Sequence, residues 1–156
     1  MELRKITFRN VSEIAALSVR EDQQEFVAPN WLSLGEAYVV LSDGAWARAF
    51  GLYEGDEPVG FAMFGYGPLP EESEDVQGSY SLWRFMIDQK YQGRGLGKQA
   101  MQVCLGYLST HPFRPAEKVW LSYEPENQAA RALYHKFGFR ENGRMCGKEI
   151  VAERTL

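Results

Sequence analysis

The chain has 156 residues, 45% hydrophobic, 13% aromatic and 24% charged, close to the roughly 150 residues of a single domain and of a composition that excludes disorder and fibrous repeats. Its 17 Lys and Arg against 21 Asp and Glu give a net charge of -4, without the basic footprint that a nucleic-acid binder carries. The 2 cysteines, Cys104 and Cys146, form no CxxC pair or Cys/His cluster, so neither a disulfide framework nor a metal site is expected.

Residues 1–10 alternate charged and apolar side chains where a signal peptide needs a continuous apolar run. No segment approaches the roughly 20 apolar residues that span a bilayer, so the expectation is a cytoplasmic protein with no membrane partner. Strand and helix signals alternate throughout, which predicts one α/β (α+β) domain over residues 1–156. Residues 3–8 alternate as a short strand. Asn10-Val11-Ser12-Glu13 has the form of a capping box and predicts a helix to about Arg20. Ser33-Leu34-Gly35-Glu36 repeats that form and predicts a second helix ending near Asp43-Gly44. Residues 46–53 and 58–66 predict a hairpin turning through Glu54-Gly55-Asp56-Glu57.

A Pro- and acid-rich loop follows over residues 67–75. Its acids read more readily as a solvated surface than as a cation site. Residues 80–87 form a strand. Gly97, Ala100, Met101, Cys104 and Leu108 then recur as one buried helical face. Residues 119–123 give a further strand, and Ala130, Leu133, Tyr134 and Phe137 a second helical stripe stopped by Gly138. Residues 150–152 sit in a closing strand.

The segment from Leu82 to Lys98 combines a strand, a turn and a glycine-rich helix entry. A helix start leaves about four N–H groups without partners and carries about half a positive charge. Glycines 93, 95 and 97 clear the approach to those donors, and Arg94 and Lys98 add charge, so the segment suits a phosphate-bearing ligand. It is not a P-loop, because Gln92 stands at the first glycine and Gln99 at the magnesium-binding Ser/Thr. Gly95-Leu96-Gly97-Lys98-Gln99-Ala100 matches a dinucleotide fingerprint, but the acidic residue required about 20 positions later at a strand end is missing.

Gln92-x-x-Gly95-x-Gly97 resembles the acyl-CoA pyrophosphate loop of the GNAT superfamily of N-acetyltransferases. The stretch from Asn127 to Phe139 resembles that superfamily's Asn-x-x-Ala-x-x-Leu-Tyr-x-x-x-Gly-Phe motif. With Gly51-Leu52-Tyr53 and Val59-Gly60-Phe61-Ala62-Met63, the resemblance covers nearly the whole chain. It implies a mixed, splayed sheet of six to seven strands flanked by four helices. The pantetheine arm of acetyl-CoA would enter the gap between strands 80–87 and 119–123 and pair with Phe85, Met86 and Ile87. The pyrophosphate would rest on the amides of Gly93, Arg94, Gly95, Leu96, Gly97 and Lys98, beside Gln92. Asn127 would reach the cofactor arm or cap its helix, and Tyr134 would protonate the coenzyme A thiolate. Only His111 and His135 titrate near neutrality unperturbed. His111 lies in a loop before Pro112, and His135 points about 100 degrees around its helix from Tyr134, so no general base is assigned. Cys104 reads as packing, which leaves direct transfer without an acyl-enzyme.

Within the superfamily, the stretch Gln23-Gln24-Glu25-Phe26-Val27-Ala28-Pro29-Asn30-x-x-Ser33-Leu34, the strand Arg84-Phe85-x-Ile87-Asp88 and Asn142-Gly143 are similar to bacterial spermine and spermidine acetyltransferases. A small-molecule polyamine is therefore the implied acceptor. Glu25, Glu36 and the acids of residues 71–75 would supply the field, with Phe26 and Trp83 as walls. Members of that group carry a carboxylate where Trp83 stands. Two alternatives stay open: transfer to a peptide N-terminus, amino acid or aminoglycoside, and a non-catalytic acyl-CoA sensor. Edge strands make a homodimer a reasonable assembly.

Overall fold

A computed structural model of the chain describes residues 1–67 and 76–156; the acids of residues 71–75 lie outside the described residues. Aromatic and small apolar residues pair as the expected hairpin, β2 (Trp46–Glu54) with β3 (Glu57–Tyr66). β1 (Glu2–Lys5) pairs with the outer side of β2, and β4 (Tyr80–Ile87) with β3. β5 (Lys118–Tyr123), β6 (Arg140–Cys146) and β7 (Glu149–Thr155) complete a seven-stranded mixed sheet in the order β1-β2-β3-β4-β5-β7-β6. Four helices cover it: α1 (Val11–Ala16), α2 (Asn30–Ser42), α3 (Leu96–Leu108) and α4 (Gln128–Lys136).

The two faces of the sheet have separate cores. On one, Ile14 of α1 and Ala37 and Val40 of α2 pack on Ala47, Phe61, Met63 and Met86. On the other, Ala100, Met101, Cys104 and Leu108 of α3 pack on Phe64, Leu82, Val119 and Leu121, the stripe that the sequence spacing predicts. Each large side chain fully buried this way contributes roughly 1.5 to 3 kcal/mol.

Two irregularities set β4 apart from its neighbours. β4 and β5 pair in parallel only at Tyr80↔Val119 and Ser81↔Trp120, and the strands then part. A bulge opposite Met63 and Phe64 leaves Trp83 without a register partner, and the Trp83 carbonyl accepts instead from Arg84 Nη1 at 3.0 Å.

Some boundaries differ from the sequence reading. α1 stops at Ala16 because Leu17 turns extended and Ser18 N–H donates to the buried Asp88 carboxylate at 2.9 Å. Asn10 does not cap α1, since its Oδ1 accepts from Thr7 N. α2 starts three residues before Ser33, directly after Pro29, and Ser33 Oγ donates back to Pro29 O. β6 is an edge strand of polar and charged residues with a register shift between Glu141 and Met145, a protected edge whose composition carries no strand signal.

Candidate functional site

Where β4 and β5 part, a cavity of about 440 Å³ opens, and the C-terminal ends of both strands form its walls with the turn after β4 and the face of α4 that carries Ala129, Ala130, Leu133 and Tyr134. Phe85, Met86 and Ile87 line it from β4, and Ser122 and Tyr123 from β5. Asp88 N–H donates to Val59 O across the β3 side at 2.9 Å, so by strand alternation Phe85 and Ile87 turn their backbone groups toward the gap. The Ile87 carbonyl accepts from Gln92 Nε2 at 3.0 Å.

The turn into α3 is built by backbone geometry. Gly93 and Gly95 hold φ of 77° and 76°, a left-handed conformation that costs other residues strain, and a Cβ at either would point into open space. Among the described residues, the amides from Gly93 to Gly97 have no hydrogen-bond partner, and no side chain caps α3. A ring of unpartnered donors at a helix N-terminus therefore faces the cavity, the requirement for seating a diphosphate.

Gln92 buckles this turn to the connection between α1 and α2. Its Nε2 also donates to Gln23 Oε1 at 2.8 Å, and its Oε1 accepts from Arg20 Nη1 at 2.7 Å. Val19, Arg20, Gln23, Phe26 and Val27 of that connection thereby become a cavity wall. Leu96 and Lys98 line the cavity. Arg94 stands outside the wall: its guanidinium meets Glu54 at 2.9 Å and lies 5.6 Å from the centre of the Tyr91 ring. Asn127 both lines the cavity and caps α4, its Oδ1 accepting from Ala130 N at 3.1 Å.

Tyr134 lies on the cavity wall, its ring packed against Tyr123 and Phe139 at 5.5 and 6.0 Å. Its hydroxyl has no hydrogen-bond partner among the described residues. Burial pushes the phenol pKa up, with Glu149, Cys104 and Tyr123 adding to the rise, so the group stays protonated. Cys104 is fully buried and its thiol is likewise pushed up by burial, which suits packing and not nucleophilic attack.

Of the residues read as acceptor contacts, Phe26 lies in the cavity wall and Glu25, Glu36 and Trp83 do not. Glu36 ion-pairs with Arg84 at 3.0 Å, and the Trp83 ring lies 5.3 Å from the same guanidinium. Glu25 is exposed on the α1–α2 connection. Its field, with that of Glu126, reaches Lys148, whose ammonium binds Glu124 at 3.0 Å and is held above its usual range mainly by that bond. Neither histidine lines the cavity: His111 Nδ1 accepts from Ala116 N, and His135 lies 3.4 Å from Glu141. Sequence reasoning misses Val19 and Arg20, which carry no motif, and the role of Asp88, which pins the connection from the end of β4.

Among the described residues there is no group of His, Cys, Asp and Glu that could hold a metal, and no helix is long and apolar enough to cross a membrane. A family model for the acetyltransferase (GNAT) family matches residues 11–139. The chain belongs to the GNAT acetyltransferase family. Its relatives include a Bacillus subtilis (strain 168) protein named spermine/spermidine N(1)-acetyltransferase, 32% identical over 146 residues that cover 93% of this chain and 91% of that one. A mycothiol acetyltransferase of Corynebacterium glutamicum is 33% identical, over 56% of this chain and 26% of its own. Among solved structures, the fold is shared with aminoglycoside acetyltransferase AAC(6')-Ib in complex with coenzyme A, at a TM-score of 0.76 and 20% identity, covering 99% of this chain and 94% of that chain. It is also shared with the PaiA N-acetyltransferase of Thermoplasma acidophilum in complex with coenzyme A, at a TM-score of 0.67 and 16% identity, covering 99% and 98%. The GNAT fold accounts for the seven-stranded sheet, the parted β4 and β5 and the four helices.

Proposed function

We propose that this GNAT acetyltransferase moves the acetyl group of acetyl-CoA directly onto a primary amine, and that the amine is a polyamine such as spermidine or spermine. One observation carries the transfer reading: amides from Gly93 to Gly97, without partners among the described residues, stand at a cavity that runs along the β4–β5 gap and is also lined by Tyr134. The cavity fits the co-substrate piece by piece. Glycine amides receive its diphosphate, the backbone of Phe85 and Ile87 pairs with the amides of its arm, and the phenol waits near the thioester end.

In the reaction, the amine nitrogen bonds to the acetyl carbon and the carbon–sulfur bond breaks. Backbone N–H groups of β4 that face the gap stabilise the charge gathering on the carbonyl oxygen. Tyr134 donates to the departing thiolate. Among the described residues no carboxylate or histidine lines the cavity, and on this reading the amine passes its proton to water.

The polyamine assignment rests on the relative named for spermine and spermidine and on the rim beside the cavity. Glu25, Glu124 and Glu126 converge there around the Lys148 ammonium, an anionic setting that suits a substrate with several ammonium groups. Thiol release measured across spermidine, spermine, amino acids, an aminoglycoside and a peptide tests both levels. The highest kcat/KM is expected with spermidine or spermine. A faster peptide or aminoglycoside replaces the acceptor, and coenzyme A binding without thiol release from any amine replaces catalysis with sensing.

A further inference from the structure

Alternation along β5 sends Val119, Leu121 and Tyr123 into the core under α3 and turns Trp120 and Ser122 to the opposite face of the sheet. Ser122 also lines the cavity. Val151 of β7 stands opposite Ser122, so Glu149, two residues earlier on β7, shares that face. There the Ser122 hydroxyl donates to the Glu149 carboxylate, Oγ to Oε2. Both residues are half-buried. Among the described residues no cation pairs with Glu149, and the neighbouring Lys148 ammonium is bound by Glu124 at 3.0 Å.

A serine hydroxyl has one proton to donate and two lone pairs with which to accept. An ionised carboxylate only accepts, so Glu149 takes the proton and fixes the direction of the bond. What Ser122 still offers the cavity is a hydrogen-bond acceptor. The amides from Gly93 to Gly97 and the Tyr134 phenol are donors, suited to a phosphate and a thiolate, whereas an attacking amine needs the opposite. Tyr134 packs on Tyr123, the next residue of β5, so the phenol and the Ser122–Glu149 pair stand at the same end of the cavity. After burial, the Glu149 charge is the largest contribution to the raised phenol pKa.

We propose that Ser122 and Glu149 form a relay that receives the proton of the attacking amine, Ser122 as its contact with the cavity and Glu149 as the terminal proton acceptor. The relay rests on the acetyl-transfer reading and deepens it. As the nitrogen–carbon bond forms and the carbon–sulfur bond breaks, the proton leaving the nitrogen passes through water to Ser122 Oγ. The hydroxyl's own proton moves to Glu149 Oε2, and Tyr134 donates to the thiolate. The proton gained by Glu149 and the one given by Tyr134 balance, so exchange with solvent resets both groups and the products are an amide and a thiol.

Thiol release by the full chain with acetyl-CoA and its fastest amine, read beside calorimetric coenzyme A binding, tests the relay. Glu149→Gln is expected to lower kcat by about 100-fold, the low end for a positioned acid or base, with the amine KM and coenzyme A affinity within about twofold. Ser122→Ala should lower kcat at least about tenfold, and Ser122→Thr, which keeps the hydroxyl, should recover most of it. In Glu149→Ala, added formate should raise kcat severalfold by placing a carboxylate in the vacated space. An unchanged kcat in Glu149→Gln, a loss confined to KM, or no gain from formate overturns the relay while acetyl transfer stands. Wild type that binds coenzyme A yet releases no thiol from any amine overturns the transfer reading itself.

Discussion

The Tyr134 phenol is buried, lacks a partner among the described residues and has its pKa raised by burial, three conditions with one consequence. It keeps its proton at physiological pH, and in the proposed transfer it would hydrogen-bond the departing thiolate. Tyr134→Phe is therefore expected to lower kcat by about 100-fold, the usual scale for one positioned proton donor. Coenzyme A affinity and thermal midpoint should barely change, because the hydroxyl bonds nothing among the described residues. Stopped thiol release with unchanged calorimetric binding would confirm the assignment; an unchanged kcat would remove the residue from the chemistry. Asn127 illustrates why a motif position need not resolve into one role: its side chain caps α4 and borders the cavity at once.

At the level of strands and helices, close backbone contact between β3 and β4 sets the wall of the cavity. A Cβ at Gly60 would meet the Met86 carbonyl oxygen at 2.4 Å, a distance that backbone cannot relieve. Gly60→Ala should cost about 2 to 4 kcal/mol, toward the severe end for single substitutions, and should weaken coenzyme A binding by shifting the Phe85–Ile87 edge. Gly35→Ala, in a helix with open space around it, should cost nothing or stabilise slightly. Urea midpoints for both variants check the contrast. The same elements explain how far the fold is legible in the sequence. β2 to β5, α3 and α4 announce themselves because their apolar positions recur with the period of a strand or helix, and the glycine turn because its three glycines precede a helical stripe. α1 and α2 differ from expectation at their ends because tertiary bonds from Ser18 to Asp88 and from Asn30 to Ile14 O decide them. β6 gives no signal because an edge strand stays polar, and the α1–α2 wall gives none because Gln92 recruits it across about 70 residues of sequence by hydrogen bonds no local pattern encodes.

Across the whole molecule, titration should bound stability on both sides. Glu141, held low chiefly by the hydrogen bond from Tyr123, and Glu153, held low chiefly by Lys118, contribute stability that is complete above their unfolded value near 4.5 and is lost as pH falls below it. Tyr123, raised to about 12 by burial and by Glu141, and Tyr134 act in the other direction: their contribution is complete below 10 and is lost as pH climbs from 10 through about 12. Urea midpoints from pH 3 to 12 should trace a plateau with two shoulders, and Tyr123→Phe should trim both, since it deletes the phenol and the donor to Glu141. A curve flat to pH 12 would contradict this. The pairing of β4 and β5 at two positions has a mechanical meaning as well. The sheet is two flaps hinged at Tyr80 and Ser81, and α3 is the strut whose buried face spans them. On the proposed reading, a guest wedged into the crack would supply the rungs the chain leaves out and set its diphosphate on the strut's own tip, so that filling the crevice and tightening the joint would be one event.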